Sequence, residues 1–86
     1  MKVQISVKAE KQLDGMPEEL RLIFMKHMRK IQSIPLRRHM KYGIPSYVEG
    51  VTKQARIIYY LKDEEAYITH CFKNHKEYER WYKSYK

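Results

Sequence analysis

The sequence predicts a small α/β (α+β) domain, in which an antiparallel sheet carries two N-terminal helices on one face and a short C-terminal helix follows. Apolar residues recur at helical spacing in the N-terminal third and again at the C-terminus. From Tyr47 to Phe72 they follow instead the period of two that is typical of strands. A chain of 86 residues has room for one hydrophobic core, so we expect residues 1–86 to form a single domain.

The N-terminal part is predicted to contain one strand and two helices. The segment Met1–Val7 alternates apolar and polar residues as a strand does, and Ser6 is a suitable cap for a helix over Val7–Leu13. Asp14 and Gly15 would end that helix. A longer amphipathic helix is predicted from Pro17 onward by apolar residues spaced by three or four: Leu20, Ile23, Phe24, Met28 and Ile31.

Three strands are predicted next, over Tyr47–Lys53, Ala55–Leu61 and Ala66–Phe72, the last two joined as a hairpin with Asp63 and Glu64 as its turn. Strict alternation of side chains then divides the hairpin into two faces. One face would carry Arg56, Thr69, Cys71 and Lys73. The other, more apolar face would lie under the helices and carry Ile57, Tyr59, Leu61, Ile68, His70 and Phe72.

The C-terminal segment is predicted to be an amphipathic helix. Asn74 and Glu77 have the spacing of a capping box, and helical spacing then aligns His75, Tyr78 and Tyr82 along one side. Combined with the predicted hairpin, this places a set of basic and aromatic side chains around one open concavity: Arg56, Lys73, His75, Lys76 and Tyr82.

The charge of the chain favours a polyanionic partner. Eighteen Lys and Arg against ten Asp and Glu give a formal net charge of +8 and a pI of about 9.6. Such an excess favours nucleic acid, with an acidic protein partner or an inert basic surface as alternatives. A predicted loop over residues 35–46 contains Arg37, Arg38 and Lys41, which could contact a phosphate backbone, although charged loops are usually solvated.

Other classes of protein and site are disfavoured. No apolar run approaches the roughly 18–20 residues of a membrane span, and the N-terminus lacks the apolar segment of a signal peptide. A single cysteine is typical of a reducing compartment, so we expect a cytoplasmic protein without membrane contact. His70, Cys71 and His75 do not predict a metal site, because His70 and Cys71 would point to opposite faces. We expect no cofactor and no cysteine nucleophile.

Three segments, taken with the order of elements, resemble the RelE/HigB superfamily of bacterial toxins: SVKAEKQL, ARIIYYLKDEEAYITHCF and FKNHKEYERWY. The resemblance covers nearly the whole chain and is strongest from Gln54 onward. It implies a RelE-like, microbial RNase-type fold and a metal-independent endoribonuclease that cuts mRNA, often in the ribosomal A site, and so inhibits translation. It also implies mRNA, the ribosome and a cognate antitoxin as partners; we expect the antitoxin to contribute an acidic segment. The toxin alone is expected to be a monomer, and its complex with the antitoxin a higher-order assembly.

The resemblance implies roles for individual residues. Arg56 matches the strand arginine that stabilises charge on the scissile phosphate, and Lys76 falls where RelE-like members have a second catalytic arginine. Tyr82 falls at a tyrosine that stacks on a base or orients the substrate, and Lys53 lies near RNA-binding lysines of the preceding strand. Lysine at position 76 keeps the charge of arginine but loses its planar fork.

The sequence does not decide which side chains transfer the protons. Cleavage through the RNA 2′-hydroxyl needs a base, an acid and cations for the phosphorane charge. We expect Arg56, Lys73 and Lys76 to supply the charge and His75 to transfer protons, with Glu49 as the alternative; both resemble groups of other subfamilies. Two other functions remain open: a ParE-like toxin that inhibits gyrase, and a non-catalytic basic module that binds nucleic acid.

Overall fold

The structure, a computed structural model, describes residues 2–33 and 46–84. Within them lie three helices, α1 (Val7–Asp14), α2 (Glu18–Ser33) and α3 (His75–Lys83). Four strands form one sheet: β1 (Lys2–Ile5), β2 (Tyr47–Gly50), β3 (Arg56–Lys62) and β4 (Glu65–Phe72). The predicted loop with Arg37, Arg38 and Lys41 lies, apart from Ser46, outside the described residues.

The sheet has the strand order β1-β4-β3-β2. Strands β2, β3 and β4 form the predicted antiparallel meander, whereas β1 pairs in parallel with β4, Val3 lying opposite Ala66. The sheet is therefore mixed rather than wholly antiparallel. Strand β2 is also shorter than predicted, because residues 51–55 form the connection to β3.

Local hydrogen bonds set the helix ends as the sequence predicts. The Ser6 hydroxyl accepts a hydrogen bond from the Ala9 N–H at 3.0 Å at the start of α1. At the start of α3, the Asn74 Oδ1 accepts from the Glu77 N–H at 2.8 Å, and the Asn74 Nδ2 donates to the Glu77 carboxylate at 3.1 Å. These contacts confirm the predicted cap and capping box.

The sheet is the middle layer of the fold. Helices α1 and α2 pack on one face through buried residues that include Ala9, Leu13, Phe24, Met28 and Ile31. On the opposite face, α3 packs over Ile58 and Phe72 with Val48 at the side. The structure thus confirms that the two N-terminal helices share a face. None of the helices in the described ranges has the length and apolar character needed to cross a bilayer.

A β-bulge in the hairpin reverses part of the predicted facing. Next to the turn the pairing is as predicted, with Lys62 opposite Glu65 and Tyr60 opposite Tyr67. Thr69 is then an extra residue in β4, so Arg56 pairs with Phe72 rather than with Cys71. An extra residue in one strand shifts the alternation of side chains, so that each later side chain lies on the face opposite to the one that strict alternation predicts.

Two predictions about the hairpin faces are therefore wrong. His70 and Phe72 do not lie under α1 and α2 but share the face of Arg56 and α3. Cys71 does not share the Arg56 face: it pairs with Ile57 and is buried in the main core at 1% exposure.

The β3–β4 turn is the strained point of the described backbone. Asp63 and Glu64 have φ angles of 51° and 62°, in the left-handed region that Asn and Gly adopt far more readily. We predict that the double variant Asp63→Asn/Glu64→Gly is more stable than the wild type by about 0.5–1 kcal/mol, since a type I′ turn with Asn-Gly releases this strain. Urea unfolding measures the difference. Glu64→Ala, which removes the charge but keeps a Cβ, is the control and should not gain stability; a destabilised Asn-Gly variant would contradict this account of the turn.

Candidate functional site

Arg56 is the first residue of β3 and lies on the face of the sheet that α3 covers. Its Nη1 donates hydrogen bonds to the backbone carbonyls of Thr52 and Ala55, both at 2.9 Å. Its guanidinium carbon lies 5.9 Å from the centre of the Tyr78 ring, within the range of a cation–π contact. The guanidinium is thus fixed from two sides.

Tyr78 connects the candidate residues on this face. Its ring centre lies 5.6 Å from that of His75 and 4.9 Å from that of Tyr82, which it meets edge-on. Together with the contact to Arg56, these distances define the Tyr78 cluster: Arg56, His75, Tyr78 and Tyr82. The structure therefore brings together three of the residues predicted to converge, around Tyr78, which was predicted only to lie on the same side of the helix as His75 and Tyr82.

Packing of α3 holds the cluster in place. The Phe72 ring lies 6.2 Å from that of Tyr78 and 5.6 Å from that of Trp81, and Ile58 lies beneath the same side of the helix. Aromatic pairs at such distances add about 0.5–1.5 kcal/mol each to the burial of their surface. The helical spacing of His75, Tyr78 and Tyr82 was the signal in the sequence for Tyr78 as a site residue.

Tyr78 is suited to contact rather than to proton abstraction. Burial raises the pKa of its phenol above the ordinary value, the neighbouring Tyr82 raises it further, and Arg56 opposes the shift. The phenol is therefore protonated at neutral pH, so that its ring can pack against the cation while its hydroxyl can donate a hydrogen bond.

The other predicted cations are not part of this cluster. Lys73 lies beside Cys71 and borders a cavity lined also by Lys11 and Gln12 of α1, so the structure does not bring it to Arg56. Lys76 is exposed in the first turn of α3, next to His75 in sequence, and Lys53 is exposed in the β2–β3 connection. Both add positive charge near the ends of the elements that carry the cluster.

Glu49 lies on the opposite face of the sheet from Arg56. It pairs with Ile57, is 1% exposed, and its Oε2 lies 2.6 Å from Nδ1 of His27 and 3.5 Å from Nζ of Lys30. Its Oε1 is buried without a hydrogen-bond partner among the described residues. The structure thus separates Glu49 from the Tyr78 cluster and makes it a polar link between β2 and α2.

His70 is held as a neutral imidazole beside the cluster. Its ring lies 5.3 Å from that of Phe72 and 4.6 Å from that of Trp81, and its Nδ1 lies 3.0 Å from the Thr69 hydroxyl. Burial, and secondarily the charge of Lys8, lower the pKa of His70 to about 4. The ring is therefore part of the aromatic support under α3 rather than a cation.

Two other kinds of chemistry were considered from the sequence, a cysteine nucleophile and a metal site. Burial raises the pKa of the Cys71 thiol to about 12, which keeps the thiol protonated at neutral pH. Within residues 2–33 and 46–84, no three His, Cys, Asp or Glu side chains lie close enough to hold a metal ion.

No protein-family model and no curated protein matches the sequence. Solved structures do match it. The YoeB/ParE toxin from Agrobacterium tumefaciens is 10% identical with a TM-score of 0.68, over 84% of this chain and 96% of that one. A chain of the intact E. coli RelBE toxin–antitoxin complex is 13% identical with a TM-score of 0.70, over 84% and 94%.

A third structure, the YoeB dimer from Staphylococcus aureus, is 12% identical with a TM-score of 0.69, again over 84% and 94% of the two chains. At these identities the likeness concerns the fold. The chain has the RelE/YoeB-like toxin fold, an α+β fold with a mixed four-stranded sheet, which confirms the fold expected from the resemblance.

The low pKa of His70 predicts a pH-dependent stability. Between about pH 6.5 and pH 4 the unfolded chain binds a proton at His70 that the folded chain does not, so stability falls as the pH falls through this range, by at most about 1.4 kcal/mol per pH unit. His70→Phe keeps an aromatic ring between Phe72 and Trp81 but cannot bind the proton. We predict that urea unfolding at pH 7.5 and at pH 5 shows a smaller loss of stability in this variant than in the wild type; equal losses would mean that His70 is solvated.

Proposed function

We propose that this chain is the toxin of a type II toxin–antitoxin system and acts as a metal-independent endoribonuclease on mRNA. The structures it resembles are described as a YoeB/ParE toxin, a RelBE toxin–antitoxin complex and a YoeB dimer. The observation that carries the proposal is the Tyr78 cluster, in which a fixed arginine, a histidine and two tyrosines meet on one face of the sheet. The arginine can supply the cation, and the histidine the proton transfer, that metal-free cleavage of RNA requires.

In the proposed reaction the RNA 2′-oxygen attacks the adjacent phosphorus and the bond to the 5′-oxygen breaks. The products are a 2′,3′-cyclic phosphate and a 5′-hydroxyl. The 2′-hydroxyl loses a proton to a base, and the departing 5′-oxygen gains one from an acid. Negative charge accumulates on the phosphoryl oxygens between these steps, and a positioned cation stabilises it.

Arg56 is the cation in this proposal and His75 transfers protons. Because two carbonyls and the Tyr78 ring already hold the Arg56 guanidinium, little reorganisation is needed when charge develops on the phosphate. Imidazole is suited to proton transfer at neutral pH because its ordinary pKa is about 6.5. Glu49 is omitted from the catalytic set because it lies on the other face of the sheet.

Tyr82 is proposed to stack on a base of the substrate, where one such contact contributes about 1–3 kcal/mol. Lys53 and Lys76, both exposed, add to the attraction of the RNA backbone. Lys73 borders the α1 side of the sheet and is omitted from the catalytic set, as Glu49 is. Arg37, Arg38 and Lys41 remain predicted RNA contacts.

The remaining partners follow from the same proposal. Two of the similar structures are described as complexes of YoeB with YefM, and another as an intact toxin–antitoxin complex. We propose that this chain likewise binds a cognate antitoxin, with an acidic segment that offsets its net charge of +8. The chain would act in the cytoplasm on mRNA held by the ribosome, as a monomer when free and in a higher-order complex when neutralised.

A second candidate is a ParE-like toxin that inhibits gyrase. One similar structure is described as a YoeB/ParE toxin, so the fold is compatible with either activity. The Tyr78 cluster favours the nuclease, because inhibition through protein contacts does not require a histidine and a fixed arginine that contact the same tyrosine.

The test is to induce the wild type and Arg56→Ala in a bacterial host and to map new 5′ ends of mRNA by primer extension. We predict cuts within translated codons for the wild type and a loss of at least about 100-fold in Arg56→Ala, since a positioned donor to the transition state contributes about that factor. Arg80→Ala removes the same charge from an exposed site on α3 and should cut like the wild type.

Two results would contradict the proposal. Equal cutting by Arg56→Ala, in protein that is folded by circular dichroism, would remove Arg56 from the site. Growth arrest with intact messages would exclude the nuclease, and a supercoiling assay would then test gyrase inhibition.

A further inference from the structure

We propose that Thr52 is a positioning residue that determines which edge of the Arg56 guanidinium faces the substrate. This residue is outside the catalytic set described above, and its effect on rate rests on the proposed function. Its effect on the orientation of Arg56 rests on the geometry of the β2–β3 connection alone.

The Thr52 side chain closes the loop between β2 and β3. Its Oγ1 accepts hydrogen bonds from the N–H groups of Ala55 at 2.9 Å and Gln54 at 3.1 Å. The Val51 N–H donates to the Ala55 carbonyl at 3.0 Å across the same loop. A short connection with three internal hydrogen bonds has few alternative conformations, so its carbonyl groups are held in fixed directions.

Two of those carbonyls engage Arg56. The Thr52 and Ala55 oxygens each accept from Nη1 at 2.9 Å, which uses both hydrogens of that nitrogen. The hydrogens on Nε and Nη2 remain, and no residue in the described part of the chain accepts a hydrogen bond from them. The Nε–Nη2 edge is therefore the edge that is left to bind two oxygens of a phosphate in parallel.

The hydroxyl of Thr52 is the feature on which this orientation depends. Without it, the N–H groups of residues 54 and 55 lose their acceptor inside the loop, and the carbonyls that hold Nη1 are no longer fixed relative to β3. The guanidinium can then rotate about its last bonds and present either edge. Serine keeps the hydroxyl, whereas valine has nearly the shape of threonine without it.

The direct test is the side-chain ¹⁵N spectrum of the arginines in the wild type, Thr52→Val and Thr52→Ser. We expect hindered rotation of the Arg56 Nη1 group in the wild type, seen as resolved Nη hydrogens, and free rotation in Thr52→Val. Thr52→Ser should resemble the wild type. Arg80, which is exposed on α3, serves as an internal reference for a freely rotating guanidinium.

The effect on rate is measured by single-turnover cleavage of mRNA on programmed ribosomes. We expect Thr52→Val to lower the cleavage rate by about 10- to 100-fold with RNA affinity changed by less than about twofold, because a misaligned group affects the transition state more than binding. Thr52→Ser should cleave within about twofold of the wild type. In the Arg56→Lys background, Thr52→Val should have no further effect, since the group that it positions is gone.

Each alternative outcome decides the question. A freely rotating Arg56 guanidinium in the wild type would overturn the proposal, whether or not Thr52→Val folds. Unchanged Arg56 signals in Thr52→Val would also overturn it, as would an equal loss of rate in the Arg56→Lys background. If the wild type does not cleave mRNA at all, the proposed function is overturned instead. The spectra would then still decide the orientation of Arg56.

Discussion

The placement of Arg56 and α3 on the same face of the sheet depends on one extra residue in β4. Thr69 forms a β-bulge, and its backbone carbonyl accepts a hydrogen bond from the Ser6 hydroxyl at 3.1 Å. The Thr69 hydroxyl donates to the Ile58 carbonyl at 3.3 Å, and the Cys71 N–H donates to the Gln12 side chain at 2.8 Å. Side chains at the start of and within α1 thus satisfy backbone groups that the disrupted ladder leaves open.

Because of the bulge, the two faces of the sheet have different roles. Beyond it, Cys71 completes the main core under α1 and α2, while His70 and Phe72 form the aromatic support on which Trp81 and Tyr78 rest. Stability comes mainly from the first face, which holds most of the buried apolar side chains. The second face is less deeply buried and leaves the Tyr78 cluster at the surface, where a ligand can reach it.

Features that depend on neighbouring residues could be predicted from the sequence, whereas features that depend on distant residues could not. Ser6, Asn74 and the Asp63–Glu64 turn act through hydrogen bonds or backbone angles within a few residues, so their sequence signals were sufficient. The bulge depends on the packing of both faces at once, and strict alternation could not reveal it. The same holds for Glu49, whose buried carboxyl group lies against His27, 22 residues earlier in the chain.

Part of the candidate site could be predicted from the sequence. The resemblance named Arg56 and Tyr82 as candidates, and helical spacing placed His75 on the same side of α3 as Tyr82, because α3 is a regular helix with a clear cap. Helical spacing placed Tyr78 on the same side of α3 as His75 and Tyr82, but Tyr78 was not named among the site residues, since nothing in the spacing indicates its contact with the Arg56 guanidinium. Lys73 was misplaced for the same reason as Cys71, because both follow the bulge.

The central claim, that the ligand face of the sheet is the face covered by α3, is tested most directly by NMR titration with a short 2′-O-methyl RNA that cannot be cleaved. We predict that chemical shifts change at Arg56, His75, Tyr78 and Tyr82, with the signals of Glu49 and His27 unaffected. Changes centred on Glu49 and His27, with the Tyr78 cluster unchanged, would contradict the account and place the site on the opposite face.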